Sequence, residues 1–367
     1  MEEPLSLVPV TYRKGAYIII EGANNGAGEF FIIRDGLVRI FNEISEIIED
    51  AEGDIIGAGE LFGVVSAMAG RASRIETALA LTDVVLIPVR RSQFLRLIRQ
   101  NASVAMKIML LFSKRMRYLN EALAQNTIKK ASPAAGRPPA VSGYTATGEK
   151  LVRAYAAGAL IFAEGERGEE VFIIKSGSVK IVKGNGGSEI LLAILKPGDI
   201  FGEMALLDSA ARTASAVAYE ECRLMALDKA NFNLVLETQP QIIERLTTLL
   251  AERIWISYKQ NLNARIPAPL GRLYDMLLIS LEKMPPAPEG VLARTLDFGV
   301  GELVSMAGLT WGSGVETAVD EMRRNRLLDM NAAGGKIRIL NAKEFSNQAV
   351  YYRKKQKAEI GKGRQPA

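Results

Sequence analysis

A chain of 367 residues, 48% hydrophobic and 24% charged, is too long for one average domain and has the composition of a globular protein of two or three. It has no histidine and a single cysteine, Cys222; the commonest metal ligand, the usual general base and any internal disulfide are thereby missing, so a non-enzymatic, metal-free protein of a reducing cytoplasm is expected. The formal charge of +5 belongs to the C-terminal end, where Lys336, Arg338, Lys343, Arg353, Lys354, Lys355, Lys357, Lys362 and Arg364 face only Glu344 and Glu359; no apolar run approaches the ~20 residues of a membrane helix, and Met1-Glu2-Glu3-Pro4 does not open a secretion signal.

Tyr17 to Glu21, Phe30 to Arg34 and Leu37 to Phe41 are β-branched or aromatic runs punctuated by glycines, which predicts a meander of short strands, as in a β-roll or jelly roll. The pattern returns. Gly15-x-x-I-I-I-Glu21-Gly22 resembles Gly158-x-x-I-F-A-Glu164-Gly165, Phe30 to Ile40 resembles Val171 to Ile181, and Glu60 to Ala67 answers Asp199 to Leu206. Two copies of one domain follow.

From Arg91 to Gln125 the apolar period becomes helical, with Phe94, Ile98, Val104, Ile108, Phe112 and Leu119 recurring at three and four. The basic face of Lys107, Lys114, Arg115 and Arg117 is read as solvated. Ala131 to Pro139 is small and proline-rich and reads as a linker. The expected division is 1–126, a linker 127–150, 151–263, 264–345 and a basic tail 346–367.

Within the second copy, Phe201-Gly202-Glu203-Met204-Ala205-Leu206 is followed by a small-residue loop and Arg212-Thr213-Ala214. A helix begun at Gly202 would aim backbone N–H groups at an anion, and Arg212 would add a planar fork for phosphate. Glu203 would repel a phosphate but accept hydrogen bonds from sugar hydroxyls, so the pair suggests a ribose phosphate. A plain salt bridge between Glu203 and Arg212 accounts for the residue types equally well.

The segment F-G-E-x-A-L, short loop, R-x-A resembles the phosphate-binding cassette of cyclic nucleotide-binding domains. The resemblance implies that Glu203 binds the ribose 2′-hydroxyl, that Arg212 pairs with the cyclic phosphate, and that Gly202, Met204, Ala205 and Thr213 complete the cradle around cAMP or cGMP. Thr213 leaves the base undecided. In the first copy Val64 stands where Glu203 stands, and Arg74, with Arg71 near it, lies one residue farther on and two before Glu76; this copy is expected to be degenerate.

Gln241 to Asn263 is a long helix whose apolar stripe fits either packing on its own barrel or a two-stranded seam. The resemblance favours a homodimer seam, and implies that the helix closes over the purine with Trp255, Ser257 and Tyr258. Ile266-Pro267-Ala268-Pro269 is a hinge, and Leu270 to Lys283 an amphipathic helix. Val300 to Thr310 and Val315 to Asn325 read as two helices, and Leu327 to Leu340 as a hairpin wing.

This last module resembles the winged helix-turn-helix of the catabolite-activator and fumarate–nitrate regulator family. The whole chain is therefore expected to be α+β, with two β-roll domains carrying long C-terminal helices and then a winged helix-turn-helix. Thr310, Trp311, Ser313, Thr317, Arg323, Arg324, Lys336 and Arg338 are the candidate DNA contacts. The recognition segment departs from the family, because Thr310-Trp311-Gly312-Ser313-Gly314 brings two glycines where an arginine is usual. A signalling adaptor whose terminal module binds protein is the second reading. The tail fits either a solubilising end or a nucleic-acid contact.

Overall fold

The computed structural model describes residues 8–23, 28–42, 54–71, 73–128, 144–146, 151–185, 188–207, 209–285 and 287–362. The linker segment Ala131 to Pro139 lies outside them, as do the basic tail's side chains from Arg353 onward.

The first repeat comprises β1 (Val10–Tyr12), β2 (Tyr17–Ile19), β3 (Glu29–Asp35), β4 (Val38–Phe41), β5 (Asp54–Ile56), β6 (Leu61–Phe62), α1 (Val64–Met68), β7 (Thr77–Ala80), β8 (Val84–Arg90), α2 (Arg91–Gln100) and α3 (Ala102–Ile128). The second comprises β9 (Tyr144–Ala146), β10 (Val152–Tyr155), β11 (Leu160–Phe162), β12 (Glu170–Ser176), β13 (Val179–Asn185), β14 (Ser188–Leu195), β15 (Ile200–Phe201), α4 (Glu203–Leu207), β16 (Ser215–Ala218), β17 (Cys222–Asp228), α5 (Lys229–Thr238) and α6 (Pro240–Ala264).

Each repeat is a pair of antiparallel sheets closing on one core. Their orders, β1-β8-β3-β6 with β2-β7-β4-β5 and β10-β17-β12-β15 with β11-β16-β13-β14, coincide strand for strand, and β9 adds an edge to the second. The register coincides too: Phe31 sits opposite Phe62 and Phe172 opposite Phe201. Both pairs stack, with ring centroids 5.4 and 5.3 Å apart.

The helix expected from Arg91 to Gln125 is two helices. Asn101 interrupts it with φ −140° and ψ 87°, and its Oδ1 accepts from the Val104 N–H at 3.2 Å as a start cap for α3. α3 and α6 then lie side by side and run the same way: Arg99 meets Glu244 at one end, and Leu123 shares a cluster with Ala264 at the other. Phe112, Met116 and Leu119 pack into one core with Leu246, Leu250 and Ile254. Asn120 and Ser257 meet across the seam at 3.2 Å, and the Asn261 Nδ2 donates to the Leu119 carbonyl at 2.9 Å. Buried polar pairs of this kind fix a helix register. The stripe expected to seal a homodimer is thus covered by α3 of the same chain, because the tandem repeat supplies the second strand of the seam internally.

After the turn at Arg265 come α7 (Pro269–Lys283), β18 (Arg294–Leu296), α8 (Val300–Met306), α9 (Ser313–Arg323), β19 (Leu328–Ala332), β20 (Lys336–Ile339) and α10 (Ala342–Lys362). β20 lies between β18 and β19 in a three-stranded sheet. The Asn263 Nδ2 braces the turn by donating to the Arg272 carbonyl and the Asp275 carboxylate at 2.7 and 3.0 Å. The stretch expected as a tail, 346–367, continues a helix that begins at Ala342 and packs at its start, with Phe345 and Ala349 buried and Tyr274 stacked on Phe345 and Tyr352. No described helix is long and apolar enough to cross a membrane.

Candidate nucleotide-binding site

β15 delivers the chain to Gly202, whose φ of 81° turns it directly into α4. A side chain there would place its Cβ 2.7 Å from the Arg212 Nη1. Gly202→Ala is expected to destabilise the protein by about 1–2 kcal/mol, the usual strain of a left-handed alanine, and to weaken ligand binding severalfold by displacing Arg212. Urea unfolding and calorimetry would measure the two effects.

Arg212 comes from the loop before β16 and is 7% exposed. Its Nη1 donates to the Gly202 carbonyl at 2.6 Å and its Nη2 to the Glu170 carbonyl at 2.8 Å. Its Nε is buried with no hydrogen-bond partner among the described residues, and its guanidinium carbon lies 4.1 Å from the centre of the Phe162 ring. Burial pushes the guanidinium below its ordinary value, with the Glu203, Glu170 and Glu166 charges pulling the other way. A buried cation with an unused donor is suited to an anion.

Glu203 is 1% exposed. It makes no ion pair with Arg212. Its carboxylate accepts from the Arg253 Nη1 of α6 at 2.8 Å, and the Arg253 Nη2 donates to the Ile200 carbonyl. The plain Glu203–Arg212 salt bridge allowed by the sequence is therefore not what forms.

Glu203, Gly202, Met204, Ala205, Arg212 and Thr213 all line one cavity of about 140 Å³, walled on the α6 side by Leu249, Arg253, Ile256, Ser257 and Gln260. Of the three proposed purine caps only Ser257 is there. Trp255 and Tyr258 project from the other face of α6, toward the first repeat: Trp255 packs against Arg71, whose guanidinium carbon is 5.1 Å from its ring centre, and the Tyr258 hydroxyl donates to Glu21. Helical phase explains the correction, since positions 253, 256, 257 and 260 share one side and 255 and 258 point away.

Four contributors carry no signal in the sequence that would mark them. Arg253 was hidden among the polar positions of a long helix. Met116 and Asn120 reach the same cavity from α3 of the first repeat, a contact with no local signature. Lys283, at the end of α7, also lines it.

The terminal candidates are dispersed. Thr310, Trp311, Ser313 and Thr317 are exposed at the start of α9, Trp311 by 53%, while Arg323 and Arg324 lie at its other end. The Thr317 hydroxyl donates back to the Ser313 carbonyl at 2.8 Å, and Arg323 pairs with Asp320 at 2.9 Å. Lys336 turns to Asp297 at 3.1 Å, and Arg338 is exposed on β20. Among the described residues no group of three or more acidic, cysteine or histidine side chains is placed to hold a metal.

A family model for the cyclic nucleotide-binding domain matches residues 9–101 and 152–239. The cyclic AMP receptor protein of Thermus thermophilus is 40% identical over 103 residues, 28% of this chain and 48% of that protein. A CRP-like cAMP-activated global transcriptional regulator of Mycobacterium tuberculosis is 32% identical over 152 residues, 41% of this chain and 68% of the relative. The chain thus spans about half the length of the first and about two thirds of the second. Among solved structures, a CooA mutant from Carboxydothermus hydrogenoformans aligns with a TM-score of 0.45 at 18% identity, over 54% of this chain and 87% of that one.

Proposed function

The chain belongs to the family of CRP-like regulators built on cyclic nucleotide-binding domains, and from that premise we propose that its second repeat is the sensor of a cyclic nucleotide. The observation that carries this is the convergence of Glu203, Arg212, Thr213 and Ser257 on one cavity, with the Arg212 Nε buried and unused. Arg212 and the amides after Gly202 receive the phosphate, Glu203 accepts from the ribose, and Ser257 with Asn120 faces the base. The names of the relatives make cAMP the first ligand to test. Titration calorimetry of the full chain is expected to show binding of cAMP, or of cGMP at the same site; no heat with either would end the proposal.

Ligand binding acts on α6 through the Glu203–Arg253 pair, and on α7 through Lys283. These helices carry the terminal module. Besides a shared apolar core, its contacts to the second repeat include polar ones at the rim: Tyr219 donates to Glu302 at 2.8 Å, Ser305 bridges the Leu191 N–H and the Glu189 carbonyl at 3.2 Å each, and Lys196 meets Asp297. Polar contacts of this kind exchange readily with water, so the module is suited to being released or redocked.

We read that module as a winged helix-turn-helix formed by α8, α9 and the β19–β20 hairpin, and the protein as a ligand-responsive transcription regulator. A second reading has its own observation: the outer face of α9 carries Glu316, Asp320 and Glu321, exposed, with Arg323 and Arg324 only at its end. Such a face repels the phosphates of DNA. Selection from random duplexes with and without cAMP decides between them. An enriched motif supports the regulator, and none in either state supports a protein-binding adaptor.

A further inference from the structure

The cradle of the first repeat holds a carboxylate supplied by the chain itself. Gly63 follows β6 with φ 79°, as Gly202 follows β15. The Arg74 Nη1 donates to the Glu29 carbonyl at 2.7 Å and the Gly63 carbonyl at 3.3 Å, the same two positions that Arg212 holds in the second repeat. Arg115 on α3 stands where Arg253 stands on α6. Only the acidic partner has moved.

In place of a glutamate after the glycine there is Val64, and the carboxylate comes from Glu76, two residues past Arg74. Glu76 is 3% exposed. It accepts from the Gly63 N–H at 2.5 Å and from the Arg115 Nη1 at 2.7 Å, so it occupies the glycine amide and the helix arginine at once. The second repeat has Ala214 at the matching position, and Ala214 lines its cavity. A small residue leaves the glycine amide and the helix arginine of one cradle free of a carboxylate at this position, where a long acid takes both in the other.

We propose that Glu76 is a built-in anion seated at the phosphate end of the first cradle. The first repeat therefore takes no cyclic nucleotide. It holds α3 in one position through Arg115, and α3 in turn carries Met116 and Asn120 to the wall of the second repeat's cavity. The device is a cradle whose anion position is permanently occupied beside one whose anion position is open. Only the nucleotide arm of its test rests on the function proposed for the second repeat; the phosphate arm does not.

The phosphate arm uses the full chain and inorganic phosphate alone. Removing the carboxylate in Glu76→Ala leaves the Gly63 amide and Arg115 facing an empty place, so phosphate at about ten times its dissociation constant is expected to raise the melting midpoint by about 2–4 °C more than it raises that of wild type. Adding Arg115→Ala abolishes the extra rise. Equal shifts in Glu76→Ala and wild type would overturn the proposal. If Glu76→Ala does not fold, Glu76→Ser, which also removes the carboxylate and shortens the side chain so that the place beside the Gly63 amide and Arg115 is vacated, stands in for it in the same comparison. In the nucleotide arm, wild type is expected to bind one cAMP per chain and Arg212→Ala to weaken that one site ten- to a hundredfold; two per chain, or a site of unchanged affinity in Arg212→Ala, overturns it. No cAMP binding at all refutes the function proposed for the second repeat and leaves the phosphate arm to decide this one.

Discussion

Arg212→Ala is expected to lower the affinity for cAMP between ten- and a hundredfold. A hydrogen bond to a charged group contributes about 1.5–3 kcal/mol, and about 1.4 kcal/mol is a factor of ten. Arg212 is suited to a contact of that class, because it is buried, stacked on Phe162 and left with an unused Nε donor. It is also part of the scaffold, since its other donors tie the Gly202 and Glu170 carbonyls. A loss of affinity in Ala alone would therefore not separate the two roles. Arg212→Lys does, because it keeps the charge but not the fork that spans both carbonyls. The lysine variant should recover part of the affinity while melting below wild type. Calorimetry at fixed ionic strength, with unfolding curves for each variant, checks both. Ala binding cAMP as wild type does would place the phosphate elsewhere.

Much of this architecture was legible because it is local. The glycine-punctuated runs announced the strands, the repeated pattern announced two copies, and Gly202, Glu203, Arg212 and Thr213 lie within one short segment that folds around itself. Asn101 was legible in principle as a helix cap, but the apolar period runs straight through it. What stayed hidden depends on packing between distant segments. No spacing rule connects Asn120 with Ser257 or Arg253 with Glu203; those contacts exist because α3 and α6 lie in a particular register. The same register turns Trp255 and Tyr258 away from the cavity that the family resemblance implied they would cap. Val64 shows the limit from the other side. Read alone it removes a carboxylate from the first cradle, whereas the fold returns one from Glu76.

Coupling follows from where α7 ends. Its last residues reach both repeats: Lys283 lines the second cavity, while the Glu282 and Lys283 carbonyls accept from the Arg71 guanidinium of the first repeat. A cation at a helix C-terminus is favourably placed against the helix dipole. The helix that carries the terminal module is thus held on one side by Arg71 of the first repeat and borders on the other the cavity of the second. A ligand shifts the module only to the extent that it binds one arrangement better than the other. In the function proposed above, Glu203, Arg253 and Lys283 are the groups at which that difference would arise.

Arg253→Ala is expected to have the largest effect on the free protein, a loss of about 3–5 kcal/mol in unfolding free energy, because it strands a buried carboxylate. The Glu203 side chain is 2% exposed and Arg253 16%, and they meet at 2.8 Å; solvent therefore offers Glu203 little compensation once the guanidinium is gone. The pair itself is a different matter. Removing both charges with Glu203→Gln and Arg253→Met should restore most of the stability, since a buried ion pair recovers little beyond its own desolvation. The double variant should nevertheless fail as a sensor, having lost both the charge on the sugar's acceptor and the link from cradle to α6. Urea unfolding of wild type, Glu203→Gln, Arg253→Met and the double variant gives the coupling energy, and calorimetry on the double variant gives the binding. If Arg253→Ala unfolds within about 1 kcal/mol of wild type, Arg253 is not what balances Glu203, and the route from ligand to α6 must run through Ser257 and Gln260 instead.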